Sequence, residues 1–452
     1  MKKVLLIELF SQKVIPLSLR TVASYSFKDS LIKEKISFEL IEIPLDFLFE
    51  DKFYQKNSYT KLLDNLKNIE TNFLEKIKLS KPDLICMSIW FWNHLELTIL
   101  SKKIKNILPS VKIFLGGQGL MFPEEYLKNN NQFDIYCFER YGEEVFKDCL
   151  YYMLGKKKIE EIEGIFYRDN LNTLIKAKNS SKILETQNFY GAYDIFPINN
   201  NLVKDFSVMY EITRGCIFNC SYCAWGDNKI IHKDLDRVIY EINKLPDKKL
   251  FLVDSFCNTP DHMYVLSKIK KTLPFLSLFI SYQVNKNISE DFFKILNEFK
   301  YVELLSGPQS FNETVLKSVK RTLNLDVMKF WSNECKKTSN ICNLGNIIMG
   351  LPFQTLEIIE EDLYLSKKYF KVLNINLLVP SSFYVLENSQ KKWGIEFEKT
   401  FPHGLLKTNA LTEKDTMFLR KAYSGLIGTD YINPELKYNL FNKLLIEYKN
   451  KS

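Results

Sequence analysis

The stretch Glu211-Ile-Thr-Arg-Gly-Cys216-Ile-Phe-Asn-Cys220-Ser-Tyr-Cys223-Ala-Trp-Gly226 constrains this chain more than any other. It sets three cysteines at C-x3-C-x2-C spacing straight after an apolar run, Phe206 to Ile212, that reads as a strand. Thiolates are the ligands of iron–sulfur clusters, and a [4Fe–4S] cluster takes four of them. Three on one loop leave one iron open to a small chelating molecule. The glycine ahead of Cys216 lets the backbone turn sharply off the strand, and Tyr222 is placed to stack on a flat ring. Zinc is the alternative occupant, but it takes four N or S ligands in paired spacings such as C-x2-C, and no fourth ligand is evident nearby.

On both sides of this loop, strand and helix patterns alternate. Ahead of it, strands are expected at Val4–Phe10, Ile36–Ile43, Asp83–Ile89, Val111–Leu115 and Phe133–Cys137, with helical stretches at Pro16–Lys33, Tyr59–Lys78 and Leu95–Ile107. That alternation predicts a doubly wound parallel sheet, which takes ligands outside the carboxyl ends of its strands. Ile162–Arg168 and Leu174–Lys176 read as a hairpin, and the polar, aromatic-dotted segment from Asn179 to Asn201 as a connector. Behind the loop come helix Leu235–Leu245, strand Lys249–Val253, helix Met263–Thr272, strand Leu276–Tyr282, helix Glu290–Phe299 and strand Val302–Leu305. Helices Phe311–Lys320 and Asp326–Thr338, strand Ile341–Met349, helix Leu356–Phe370 and strand Leu373–Val379 follow, then helix Leu411–Leu426. These six strand–helix units predict a partial barrel with its chemistry at the carboxyl ends of the strands.

The cysteine motif and this order of parts resemble the radical S-adenosylmethionine (SAM) superfamily. The match is to the group that carries a cobalamin-binding domain (class B), and it runs from about Lys2 to about Leu426. The resemblance implies an α/β architecture: a Rossmann-like cobalamin domain over residues 1–160, a hairpin and linker over 161–203, a partial (β/α)6 radical SAM barrel over 204–380, and a carboxyl-terminal region over 381–452 that closes the barrel mouth. It implies that Cys216, Cys220 and Cys223 hold the cluster. Tyr222, Asp254, Ser255, Phe256, Ser306, Gln309, Ser310, Arg321 and Gly350 fall at the family's SAM contacts; Gln354 stands where the family has an acid. In the first domain Ser88, Trp92, Asn93, Gly116, Gly117, Gln118 and Glu143 match the cobalamin pattern, although Arg140-Tyr141 departs from it. No Asp-x-His-x-x-Gly motif is present, so no histidine is expected below the cobalt, and His94 reads as an exposed loop residue. Cys257 sits on a strand-end loop and is the candidate catalytic thiol, with buried structural cysteine as its plainer reading.

The activity implied is methylation of an unactivated carbon of a natural-product or peptide substrate, through a 5′-deoxyadenosyl radical and methylcobalamin. A cobalamin-linked rearrangement or cyclisation, an enzyme whose first domain binds no cobalamin, and a non-catalytic SAM or cobalamin sensor are the alternatives. An electron donor such as flavodoxin or ferredoxin is the implied partner. A formal charge of +8 with scattered lysines and arginines gives no basic run for nucleic acid. Nine cysteines, three committed to one loop, do not form a disulfide framework, which points to a reducing cytoplasm. The apolar start of the chain is too short for a signal peptide and contains Glu8, and no run of about 18 apolar residues could span a membrane.

Overall fold

The computed structural model describes residues 1–10, 14–44, 73–90, 93–117, 119–120, 122–180, 184–185, 188–198, 207–223, 229–247, 249–283, 290–379, 390–398, 404–427 and 433–450. Of these, the residues up to 198 form one compact unit and those from 207 onward form a second.

In the first unit, β1 (Lys2–Phe10), α1 (Ser18–Ser26), α2 (Ser30–Lys35), β2 (Ile36–Pro44), β3 (Leu84–Ser88), α3 (His94–Ile107), β4 (Lys112–Gly116), α4 (Pro123–Asn129), β5 (Ile135–Cys137), α5 (Glu143–Met153), β6 (Ile165–Arg168) and β7 (Leu174–Lys176) follow one another. The sheet order is β2-β1-β3-β4-β5-β6-β7, parallel from β2 to β5 and antiparallel through the β6–β7 hairpin. Both faces are buried, so β1 and β3 read as near-continuous apolar runs. Leu5, Ile7, Ile85 and Met87 line one face, while Val4, Leu6, Leu84 and Cys86 line the other. The single helix expected over Pro16–Lys33 is two, because the Asp29 carboxylate accepts from Leu31 N at 3.0 Å and Ile32 N at 3.1 Å and caps a new helix. Of the helix expected over Tyr59–Lys78, only its end lies within the described residues, where 73–80 are helical.

The second unit opens with β8 (Ser207–Tyr210) and a two-stranded antiparallel ribbon, β9 (Thr213–Cys216) with β10 (Lys229–His232). Then come α6 (Leu235–Ile242), β11 (Lys249–Leu252), α7 (Pro260–Ile269), β12 (Ser277–Tyr282), α8 (Glu290–Asn297), β13 (Tyr301–Gln309), α9 (Glu313–Ser318), α10 (Leu325–Lys336), β14 (Ile341–Met349), α11 (Leu356–Tyr369) and β15 (Val372–Leu377). The parallel strands lie in chain order, β8-β11-β12-β13-β14-β15, which is the partial (β/α)6 arrangement. Asp234, Thr259, Asn312, Asn324 and Thr355 each accept a backbone N–H from the first turn of the helix they precede, so strand-to-helix turns are set locally. α12 (Glu413–Ile427) and α13 (Pro434–Lys449) complete the unit. Among the described residues no helix is long and apolar enough to cross a membrane.

Candidate active site

The cysteine loop is the connection of the β9–β10 ribbon, and buried charge fixes its roots. Glu211 accepts from the Arg214 guanidinium at 2.8 Å and pairs with Lys233 at 3.2 Å. Burial alone would raise the Glu211 carboxyl, but these two cations hold it below its usual value. Asp254, at the carboxyl end of β11, accepts from Ile212 N at 3.1 Å, from Thr213 N at 2.5 Å and its hydroxyl at 2.9 Å, and from His262 Nε2 at 3.0 Å. Both carboxylate oxygens therefore bind the root of the cysteine loop, and Oδ1 also binds His262 of α7, at a residue that the resemblance places among the SAM contacts. Gly215 takes φ +95°, the left-handed region open to glycine.

Cys216 and Cys220 are buried and Cys223 is half-buried. Arg321, which follows α9, donates to Cys220 Sγ at 3.6 Å and to the Tyr222 hydroxyl at 3.0 Å. Its other nitrogen donates to Gln283 Oε1 at 3.1 Å and to the Gly307 carbonyl. One guanidinium thus joins the cysteine loop to the ends of β12 and β13. A fixed cation beside three thiols suits an anionic thiolate-held cluster. Phe256 is buried with its ring 5.7 Å from that of Phe218 in the cysteine loop, and Ser255 beside it is half-buried.

At the end of β13 the strand bulges between Ser306 and Gln309, and Gln309 adopts φ +68°. Its side chain folds back over Gly307, where a Cβ would collide with it. Gln309 Oε1 is buried and has no hydrogen-bond partner among the described residues. A buried acceptor left open is what a bound polar ligand would satisfy. Ser306 behaves differently. It lies opposite Tyr282 in the parallel register, and residues so paired share a face. The Tyr282 ring stacks on Trp331 of α10, so Ser306 faces the helical layer rather than the barrel interior. Gly350 takes φ +93° at the end of β14. Cys257 is fully buried and its amide donates to Ser281 O at 2.7 Å. Burial pushes its thiol well above the ordinary range, which describes an inert structural cysteine better than a nucleophile.

In the first unit, the strand order 2-1-3-4-5 places a switch point between β1 and β3, where doubly wound sheets take their ligands. Ser88 and Gly116 are register partners at the ends of β3 and β4, and Glu143 is buried in the first turn of α5, after β5. Asn93 is wholly buried: its Oδ1 accepts from Trp90 N at 2.7 Å, and its Nδ2 donates to Leu9 O at 3.1 Å and Ser88 O at 3.0 Å. It therefore ties β1 to β3. Gly117 at φ +104° approaches the Ile89 backbone, where a Cβ would stand 2.5 Å from the Ile89 oxygen. Trp92 and Gln118 lie outside the described residues. His94 is not the exposed loop residue expected; it is buried at the start of α3, its ring 4.5 Å from that of Tyr126. Asp134 sits at the opposite, amino end of β5, where it accepts from Lys105 at 2.8 Å and Lys112 at 3.1 Å.

The sequence reading missed Glu8, near the carboxyl end of β1 at this switch point. The Ser18 hydroxyl reaches it at 3.3 Å and lies 3.0 Å from the Ser88 hydroxyl. Burial pushes the Glu8 carboxyl from 4.5 up to about 8, against the pull of the Leu19 amide and Arg20. The folded protein therefore keeps a proton there that the unfolded chain releases. The resulting stability is whole below about pH 4.5 and is lost as pH rises to about 8, a change of roughly 4 kcal/mol. Glu8→Gln should flatten the unfolding free energy across that window and raise the melting temperature at pH 8. Urea unfolding at several pH values measures this; parallel wild-type and variant profiles would refute it.

Residues 210–364 match the model of the Radical SAM superfamily. Over 297 residues the chain is 23% identical to the cobalamin-dependent radical SAM methyltransferase TokK of Streptomyces tokunonensis, a match covering 61% of this chain and 43% of that protein. It is 21% identical over 299 residues to the 2-(S-pantetheinyl)-carbapenam-3-carboxylate methyltransferase of Streptantibioticus cattleyicolor, covering 61% and 44%. The match thus spans less than half the length of these curated relatives. Among solved structures, the radical SAM methyltransferase TsrM of Kitasatospora setae aligns with a TM-score of 0.63 at 13% identity, over 90% of this chain and 80% of that one. The cobalamin-dependent radical enzyme OxsB aligns with a TM-score of 0.66 at 14% identity, over 99% and 71%. The chain shares its fold with TsrM and OxsB.

Proposed function

We propose that this chain is a cobalamin-dependent radical SAM methyltransferase acting on an unactivated carbon of a small-molecule or peptide substrate. The observation that carries the reading is the three-cysteine loop held by Arg321 against the ends of β12 and β13. Cys216, Cys220 and Cys223 would hold the cluster, leaving one iron for SAM. Gln309 offers SAM a buried acceptor, and Gly350, whose open side is filled by the Leu405 side chain, shapes the turn after β14. Tyr222 and Arg321 bound the cluster on one side, and Asp254 aims the loop from below. In the first unit the ends of β3 and β4 would receive cobalamin, with Asn93 fixing the strand ends and Gly117 allowing the tight turn. When bound, the cluster with SAM supplies a 5′-deoxyadenosyl radical, and cobalamin carries the methyl group. The protein's part is to orient these groups and exclude water. A single-electron donor such as flavodoxin or ferredoxin would supply the electron that SAM cleavage needs, and a reducing cytoplasm suits three thiols that must stay reduced.

The test is anaerobic reconstitution followed by dithionite, SAM and cobalamin, with 5′-deoxyadenosine measured by mass spectrometry. The expected result is 5′-deoxyadenosine formation that depends on all three cysteines, and label from methyl-deuterated SAM appearing in the product of a candidate substrate. No 5′-deoxyadenosine would leave a sensor as the reading. Its formation with a substrate that is altered but carries no label would indicate rearrangement or cyclisation.

A further inference from the structure

We propose that Asp362, on α11, is a positioning residue that sets the two strand-end loops for SAM, and that Gln354 is its matched amide; this rests on the radical SAM reading above. Asp362 and Gln354 are both buried. Asp362 Oδ1 accepts from Phe311 N at 2.6 Å, while Oδ2 accepts from the Ser310 hydroxyl at 2.8 Å and from Gln354 Nε2 at 2.9 Å. Gln354 Oε1 then accepts from Gly350 N at 2.8 Å and Leu351 N at 3.1 Å. A single helical carboxylate therefore joins the loop after β13, Gln309 to Phe311, to the loop after β14, Gly350 to Gln354. The first loop contains one residue at positive φ, Gln309, and the second contains two, Gly350 and Phe353. For Gln309, a residue with a side chain, that conformation persists only where its surroundings hold it.

The arrangement accounts for the amide at position 354, where the resembling family carries an acid. An acid there would put a second carboxylate where Gln354 Nε2 now donates to Asp362, and like charges so close cannot both ionise. The negative charge stands on α11 instead, and the loop supplies the donor.

The test uses four full-length, cluster-reconstituted proteins at pH 8: wild type, Gln354→Glu, Asp362→Asn and the double exchange. SAM affinity is read by equilibrium dialysis, alongside iron content and melting temperature. Each single change should weaken SAM binding about tenfold or more, since each opposes like groups across a buried contact. The double exchange should recover wild-type affinity to within about threefold. In it, the carboxylate brought to position 354 can accept from Gly350 N, Leu351 N and the amide brought to position 362, whose oxygen accepts from Phe311 N. Iron content should be the same in all four. Where a single variant does not fold, Gln354→Met, which removes the amide without adding a charge, replaces it and should weaken binding while the protein stays folded. Lowered melting temperature with unchanged SAM affinity would overturn the positioning role, as would failure of the double exchange to rescue. Wild-type protein that holds its cluster but binds no SAM would instead overturn the radical SAM reading.

Discussion

Reconstituted with iron and sulfide in the absence of oxygen, the wild-type chain should hold about four irons, and Cys216→Ala, Cys220→Ala or Cys223→Ala should each hold close to none. All three thiols come from the loop of one ribbon, so removing any one leaves two, too few to retain a cubane. The loss should not be a folding effect. The ribbon is anchored outside the cysteines, by Asp254 on Ile212 and Thr213 and by Glu211 on Arg214 and Lys233. The melting temperatures of the cluster-free variants should therefore match that of cluster-free wild type. Cys257→Ser is the control: this thiol is buried beside Asp254 and His262, within 4.8 Å of both, and their own hydrogen bonds are already made. It should keep its irons. A triple alanine variant that still bound about four irons would move the cluster to other cysteines and sink the assignment.

The parts of this site legible in the sequence are those that depend on local spacing. The cysteine triplet is contiguous, and the strand that leads into it carries a period that burial imposes. The strand-end positions follow once strands and helices alternate, and it is the family resemblance that singles out Gln309, Arg321 and Gly350. What is not legible depends on partners far along the chain. Asp254 falls by resemblance in a stretch that meets SAM, and the sequence does not record that its carboxylate also binds Ile212, Thr213 and His262. Ser306 reads as the end of its strand, yet β13 continues through it, and its pairing with Tyr282 puts it on the face toward the helical layer. Glu8 reads only as a flaw in an apolar run, because the sequence does not record that Ser18 and Ser88 meet it. α13 has no counterpart among the expected helices, although Asn433-Pro434 is a good helix start, with Asn433 accepting from Glu435 N at 2.8 Å.

Chain produced with ample cobalamin should carry about one cobalamin per molecule, and Gly117→Val should carry almost none while keeping its irons. The argument is backbone geometry. Gly116 O accepts from Ile89 N at 2.7 Å and Ile89 O accepts from Gly119 N at 3.0 Å, so the glycine turn lies directly on the end of β3. A branched side chain at φ +104° would meet the Ile89 carbonyl, and the strain of a few kcal/mol is relieved only by lifting the turn. Asn93→Ala should act on the same edge by another route, leaving Leu9 O, Ser88 O and Trp90 N without their buried partner at about 1–3 kcal/mol each. His94→Ala should leave the cobalamin absorption spectrum unchanged, because that ring is packed on Tyr126 and is not offered as a ligand. Cluster-loaded wild-type protein that stayed empty of cobalamin in the same expression would defeat the methyltransferase scheme. The first unit would then be a scaffold whose strand ends keep the turn and the buried asparagine for its own stability, and the radical formed at the cysteine loop would have to act without a methyl carrier.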